Sequence, residues 1–240
     1  MFTLLSLSVA DDPAVWESLG FHVVDSTVRI GRVNIVCSGS DAPEGSRRGI
    51  VGWTFNSSGE PSPGSIDGIP VTSGVAPVAD GPAQTPHPNG VTSIDHLVVS
   101  TPDLDRTVTA FEAVGLECRR ERERSYDDNP SATVRQAFFW LGDASDPADR
   151  VLCEVVGPKN PDPAKADRPA SLFGLALTSS DLDATATAMG DLLKPPVTAV
   201  QAGRRIATVR SIAGSSVPIA IMSPHINPSL VDHSQNLEPS

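Results

Sequence analysis

The chain is short of basic charge, of cysteine and of long apolar runs. Its 18 Lys and Arg stand against 29 Asp and Glu, a formal net charge of -11. Such an imbalance repels phosphate backbones and anionic lipid, so neither nucleic acid nor membrane is an expected partner. The three cysteines, Cys37, Cys118 and Cys153, are odd in number and widely spaced. That pattern argues against a disulfide framework or a zinc cluster and for reduced thiols in a cytoplasm. No apolar run reaches the roughly eighteen residues that a membrane helix needs. The opening MFTLLSLSVA lacks the basic start of a secretory signal, and Leu5, Leu7 and Val9 alternate with Ser6 and Ser8. It is read as a first strand. NSS at 56–58 is read as loop, and Tyr126, the single tyrosine, as a loop residue and candidate lid.

What the chain does have is repetition. From residue 2 to about 55 the order reads β-α-β-β-β: FTLLSLSV, the helix AVWESLG closing at Gly20, then FHVV, TVRI, RVNIVC and GIVGWTF. Residues 56–90, rich in Gly, Pro, Ser and Ala, are read as a connector. A second unit at 91–157 runs from GVTSIDHLVVS through a helix carrying Leu104, Val108 and Phe111 at helical spacing, then LECRRERE, VRQAFFWLG and RVLCEVVGP. RRERER at 119–124 is read as a charged guard on an edge strand. A third unit at 171–224 repeats the pattern: DLD at 103–105 recurs at 181–183, and VVGP is echoed by IMSP. The expected fold is therefore α+β, built of tandem βαβββ modules with a divergent first copy and a frayed tail at 225–240.

Three features together carry a family resemblance: a strand with an embedded histidine (IDHLVV), a TPDLDRT turn into a helix, and a last strand with a central glutamate (LCEVV). The chain resembles the vicinal oxygen chelate superfamily, which includes glyoxalases, bleomycin-binding resistance proteins, fosfomycin-modifying transferases and extradiol dioxygenases. The resemblance covers residues 91–224 well and 1–55 weakly. It implies that two modules pair around a common cavity, with metal ligands drawn from the first and last strand of each. It therefore implies His96 and Glu154 as metal ligands or catalytic groups.

A resident cation needs at least three protein ligands on rigid strands. The DLD match pairs position 96 with Gly174, and EVVGP with AIMSP pairs Glu154 with Ala220, so half the ligand set is missing. The first unit's strands LLSLSV and GIVGWTF hold no His, Asp or Glu. His22, His87, His225 and His233 lie in segments that would give poor coordination geometry. Extradiol chemistry, which needs a second strand histidine, is disfavoured. His96 and Glu154 have a second reading as a buried His–Glu pair without a cofactor.

Around the same cavity stand two further candidate groups: Arg135, Gln136, Phe138 and Trp140 in one strand, and Arg204 and Arg205 in the matching strand of the third unit. Alternation sends either Gln136, Phe138 and Trp140 inward, or Arg135, Ala137 and Phe139. The expected function is a glyoxalase-like domain protein with an incomplete metal site, holding a small organic ligand that an acidic surface would favour as a cation. The alternatives are a metal-dependent lyase, isomerase or transferase, and a metal-free acid–base catalyst using His96 and Glu154. No cofactor or a divalent metal ion, and a monomer or homodimer, complete the expectation.

Overall fold

The computed structural model describes residues 2–39, 48–56, 63–74, 85–125, 133–143, 146 and 150–225. Tyr126, His233 and the tail beyond residue 225 lie outside these.

The N-terminal unit begins as the alternation predicts. Strand β1 (Leu4–Val9) buries Leu7 and Val9 and leaves Ser6 and Ser8 half-exposed. Helix α1 (Pro13–Ser18) starts where Asp12 accepts from the Ala14 N–H and where proline costs no helix bond. It is followed by β2 (Thr27–Ile30), β3 (Val33–Cys37), β4 (Ile50–Asn56), β5 (Ser65–Ile66) and β6 (Ile69–Gly74). These make a six-stranded sheet in the order β2-β3-β1-β4-β6-β5.

The structure departs from the sequence reading here in three places. FHVV forms no strand; only an isolated bridge joins Val24 to Thr27. GIVGWTF is not the last strand of the first unit: β3 takes the place parallel to β1, while β4 runs antiparallel on the other side of β1. And β5 and β6 fall inside the stretch read as a connector, where β6 runs parallel to β4. The missed signal is Ile66-Asp67-Gly68-Ile69. Asp67 at φ 47 and Gly68 at φ 80 form the two-residue turn that an Asp-Gly pair favours between short strands.

The rest of the chain follows the repeat. The second unit is β7 (Val91–Ser100), α2 (Leu104–Ala113), β8 (Cys118–Ser125), β9 (Thr133–Leu141) and β10 (Val151–Pro158). The third is β11 (Ser171–Ser179), α3 (Leu182–Met189), β12 (Val197–Thr198), β13 (Arg205–Thr208) and β14 (Ile219–Met222). All eight strands share one sheet, ordered β12-β13-β14-β11-β7-β10-β9-β8. Within each unit the first strand is parallel to the last, and the units meet through the antiparallel pair β7–β11. This α+β, paired βαβββ arrangement is the one the resemblance implies.

The repeated DLD motif explains itself as a structural device. Its first aspartate caps a helix: Asp103 accepts from the Arg106 N–H, and Asp181 from those of Asp183 and Ala184. Its second aspartate braces that helix against a strand, as Asp105 pairs with Arg135 at 2.9 Å and Asp183 with Arg205 at 2.7 Å. A hydroxyl pair at the head of each helix repeats as well, Thr101 with Thr107 and Ser179 with Thr185, both at 2.6 Å.

Helix α2 lies between the two sheets. Phe111 packs on Phe139 of β9 at 4.8 Å and on Trp53 of β4 at 6.0 Å, within a continuous apolar core. Buried polar groups then fasten the N-terminal unit in place. Asp11 accepts from the Ser215 hydroxyl and the Ser216 N–H, at 2.8 and 2.7 Å. Asp67, at the hairpin tip, takes the Arg106 guanidinium at 2.7 Å and the Thr107 hydroxyl. The tip fits closely, since a Cβ on Gly68 would stand 2.5 Å from that of Pro169.

Asp67→Ala leaves the Arg106 and Thr107 donors short of their acceptor, and a lost hydrogen bond to a charged group costs about 2 kcal/mol. Urea unfolding is expected to show that loss. Asp105→Ala, which removes an exposed pair, is expected to cost less than about 1 kcal/mol.

Candidate functional site

The eight-stranded sheet has one face on the core and one turned away from the helices. Leu97, Val99, Cys153, Val155, Ala137 and Phe139 are fully buried on the core face. Their neighbours stand on the other, open face. Strand register groups these neighbours in rows, because residues directly opposite each other share a face. One row is Trp140, Leu152, His96 and Ala176, and the next is Phe138, Glu154, Val98 and Gly174. Of the two inward-facing sets that alternation allows, the structure places Gln136, Phe138 and Trp140 beside His96 and Glu154.

Asp95 joins them through a β-bulge. The β7–β11 register slips between Ile94 and His96, so Asp95 is an extra residue and both Asp95 and His96 stand on the open face. Ile94 and Leu97, on either side, pack into the core. Strict alternation would have put Asp95 on the core face. The sequence signal for the bulge is the spacing of the apolar residues in IDHL, where two polar residues separate two core residues.

The side chains form a hydrogen-bonded chain across the sheet. Arg204, 2 % exposed, holds Asp95 at 2.6 Å and donates to the Ser223 carbonyl at 2.7 and 2.9 Å. Thr178 donates to the same carboxylate at 3.1 Å. His96 Nδ1 lies 2.8 Å from Asp95 Oδ1, and its Nε2 lies 3.5 Å from Glu154 Oε2. The Gln136 amide donates to Glu154 Oε1, and Arg122 Nε donates to Gln136 Oε1 at 2.6 Å. The Arg122 guanidinium lies over the Phe138 ring, 4.9 Å from its centre.

Burial alone would raise the Asp95 carboxyl. The hydrogen bonds and charges of His96 and Arg204 outweigh it and hold that group well below the usual carboxylate range. An ionised Asp95 only accepts, so it fixes the proton of His96 on Nδ1 and turns Nε2 toward Glu154.

Two of the predicted residues stand elsewhere. Arg135 is on the core side of β9, paired with Asp105 and Glu121, and Arg205 is paired with Asp183 on α3. Both brace helices, and only the neighbouring Arg204 reaches the open face. His22 and His87 interact with each other, the His22 N–H donating to His87 Nδ1 at 3.1 Å. Of the described candidates His22, His87 and His225, the last approaches the site, with Nε2 3.6 Å from Asp95 and 3.1 Å from Arg204 Nη1. Asp95 and Arg122 are the members that sequence reasoning missed.

The groups here that could ligate a divalent cation are engaged with one another or with neighbouring side chains. Both Asp95 oxygens, both His96 ring nitrogens and both Glu154 oxygens already face protein partners. The register confirms Gly174 and Ala220 as the counterparts of His96 and Glu154, since Glu154 pairs with Val98 where Ala220 pairs with Ala176. Position 174 has no room for a ligating side chain, because a Cβ there would lie 2.6 Å from the Pro218 carbonyl oxygen. Among the described residues no group of three or more His, Cys, Asp or Glu is arranged to hold a metal.

No protein-family model matches the chain, and no curated protein matches it in sequence. Solved structures do resemble it. Methylmalonyl-CoA epimerase from Streptomyces coelicolor, in complex with 2-nitronate-propionyl-CoA, is 23 % identical over 55 % of this chain and 97 % of its own, with a TM-score of 0.41. The Mycobacterium tuberculosis methylmalonyl-CoA epimerase is 22 % identical over 60 % of this chain and 93 % of its own, with a TM-score of 0.43. A hypothetical protein from Bacillus halodurans is 14 % identical over 56 % and 96 %, with a TM-score of 0.38.

Removing Asp95 strands a buried guanidinium, so Asp95→Ala is expected to cost about 3 kcal/mol. In a double-mutant cycle with Arg204→Met the pair is expected to cost much less than the sum. The sign of the pH dependence follows from the folded Asp95 carboxyl lying below its unfolded value. Its contribution is present above about pH 4 and is withdrawn as the pH falls further, which acid titration of stability in wild type and Asp95→Asn would read.

Proposed function

We propose that the open face of the eight-stranded sheet binds a small organic molecule without a resident metal. The observation that carries this reading is the satisfied chain from Arg204 to Arg122, which sets polar groups with fixed donors and acceptors beside Phe138, Trp140 and Val98. A few oriented polar groups among apolar and aromatic walls are the usual make-up of a ligand site. His96 and Glu154 then act as hydrogen-bonding partners of the ligand, Gln136 holds Glu154 in place, and Phe138 and Trp140 supply surface. No described helix is long and apolar enough to cross a membrane.

One observation favours a second reading, metal-free acid–base chemistry by His96 and Glu154. With Nδ1 fixed on Asp95, His96 Nε2 and Glu154 Oε2 face each other at 3.5 Å and can hold one proton between them. A bound ligand with an acidic C–H would then exchange hydrogen with solvent. Deuterium incorporation that disappears in Glu154→Gln would make this reading lead.

The binding reading has a built-in probe. Trp16 and Trp53 are buried, at 0 % and 1 % exposure, while Trp140 is half-exposed on the open face. A fragment screen is expected to find molecules that raise Tm and quench Trp140, with both effects lost or reduced in His96→Ala. A library giving stabilisation without quenching would place the site elsewhere. Elemental analysis of protein purified without chelators is expected to show metal far below one equivalent. Near-stoichiometric metal lost in both His96→Ala and Glu154→Ala would overturn the metal-free reading.

A further inference from the structure

The bulge in β7 has a twin. The β7–β11 register slips a second time between Leu172 and Gly174, leaving Phe173 as the extra residue of β11. The spacing that carries the first DLD to the second also carries Asp95 to Phe173 and His96 to Gly174. Leu172 and Leu175 are both buried, at 9 % and 3 % exposure, so Phe173 and Gly174 between them share the open face, as Asp95 and His96 do. The second unit uses its bulge for Asp–His and the third for Phe–Gly. Phe173 is 52 % exposed, and it is the single aromatic among the large apolar residues most exposed in the described structure.

Charge on this face is uneven. Arg204 is neutralised by Asp95, and His96 stands against Glu154. Among the described residues Arg122 has no carboxylate partner: its Nε is spent on the Gln136 amide and its plane lies on Phe138. The outer edge of its guanidinium, two parallel N–H donors, is the edge that takes a carboxylate in bidentate fashion. Arg122 is therefore the place on this face where an anion meets an open donor edge, in a chain whose net charge is -11.

Gly174, Val98, Glu154 and Phe138 lie in one row across β11, β7, β10 and β9. Three strand spacings, about 14 Å along the sheet, separate the ends of the row. An aromatic side chain thus stands at one end, Phe138 capped by Arg122, and another, Phe173, beside the other end.

We propose, building on the binding reading above, that the ligand is a flat organic carboxylate, with its charged group on Arg122 and its ring system reaching toward Phe173. Arg122 selects the anion, and Phe173 takes the surface at the far end of the row. An acidic surface would favour a cation; this site, by its own residues, selects the opposite charge.

The test uses three probes of one shape: naphthoate, naphthylmethanol and naphthylmethylamine, titrated against the full chain with Trp140 fluorescence and calorimetry. Naphthoate is expected to bind at least about tenfold more tightly than the alcohol, and Arg122→Met to remove that preference. Naphthoate is shorter than the row, so the reach to Phe173 is read with a longer probe, p-terphenyl-4-carboxylate, whose binding Phe173→Ala is expected to weaken about fivefold. The carboxylate proposal is overturned if the alcohol or amine quenches Trp140 as well as naphthoate does, if naphthoate binding ignores Arg122→Met, or if p-terphenyl-4-carboxylate binding ignores Phe173→Ala; the open face would then still be a binding site. Absence of quenching by all three probes would remove the carboxylate proposal and the binding reading together.

Discussion

The antiparallel pairing of β7 with β11 is the contact on which the rest of the structure depends. It turns two units into one sheet and thereby creates a single open face from residues distant in the chain. Two of its three slips in register shape the scaffold of the site, because each places consecutive side chains on the same side. In β7 that brings Asp95 beside His96; in β11 it brings Phe173 forward and leaves Gly174 packed against the Pro218 carbonyl. Regular strands would have turned Asp95 toward the core, where a carboxylate without partners is costly.

From that pairing follows the division of labour among the arginines. Strand alternation sends Arg135 and Arg205 to the helix side, where they meet the second aspartate of each DLD motif. Arg204 and Arg122 belong to the open face instead. Arg204 is consumed in ionising Asp95, and Arg122 is held through an amide with no carboxylate partner among the described residues. The same residue type serves as brace, counter-ion and candidate anchor, and position relative to the pleat decides which.

Much of this was legible in the sequence, though unevenly. The DLD repeat marked the caps of α2 and α3 and, through them, the strand positions that match His96 with Gly174 and Glu154 with Ala220, because helix caps are local signals tied to fixed residue types. The N-terminal unit was misread because the choice of neighbour for β4 is a long-range matter that strand composition does not encode. The Asp67–Gly68 hairpin was legible but lay hidden in a Gly- and Pro-rich stretch. Asp95 was missed by applying a period of two where IDHL breaks it. The same break in LFGL, at residues 172–175, shows how two such exceptions at matching places mark a shared bulge.

Asp11 gives the fold a further property, one of time. Its carboxylate is buried near the start of the chain, and its partners Ser215 and Ser216 lie more than two hundred residues later, near the end of the described structure. During synthesis the N-terminal sheet is therefore made first, and the contact that fastens it at Asp11 is made last. Until the third unit has emerged, Asp11 has only water to satisfy it, and the groups that will close over it do not yet exist. Contacts of such sequence separation slow folding, and here they join the order of translation to the order in which the two sheets lock together.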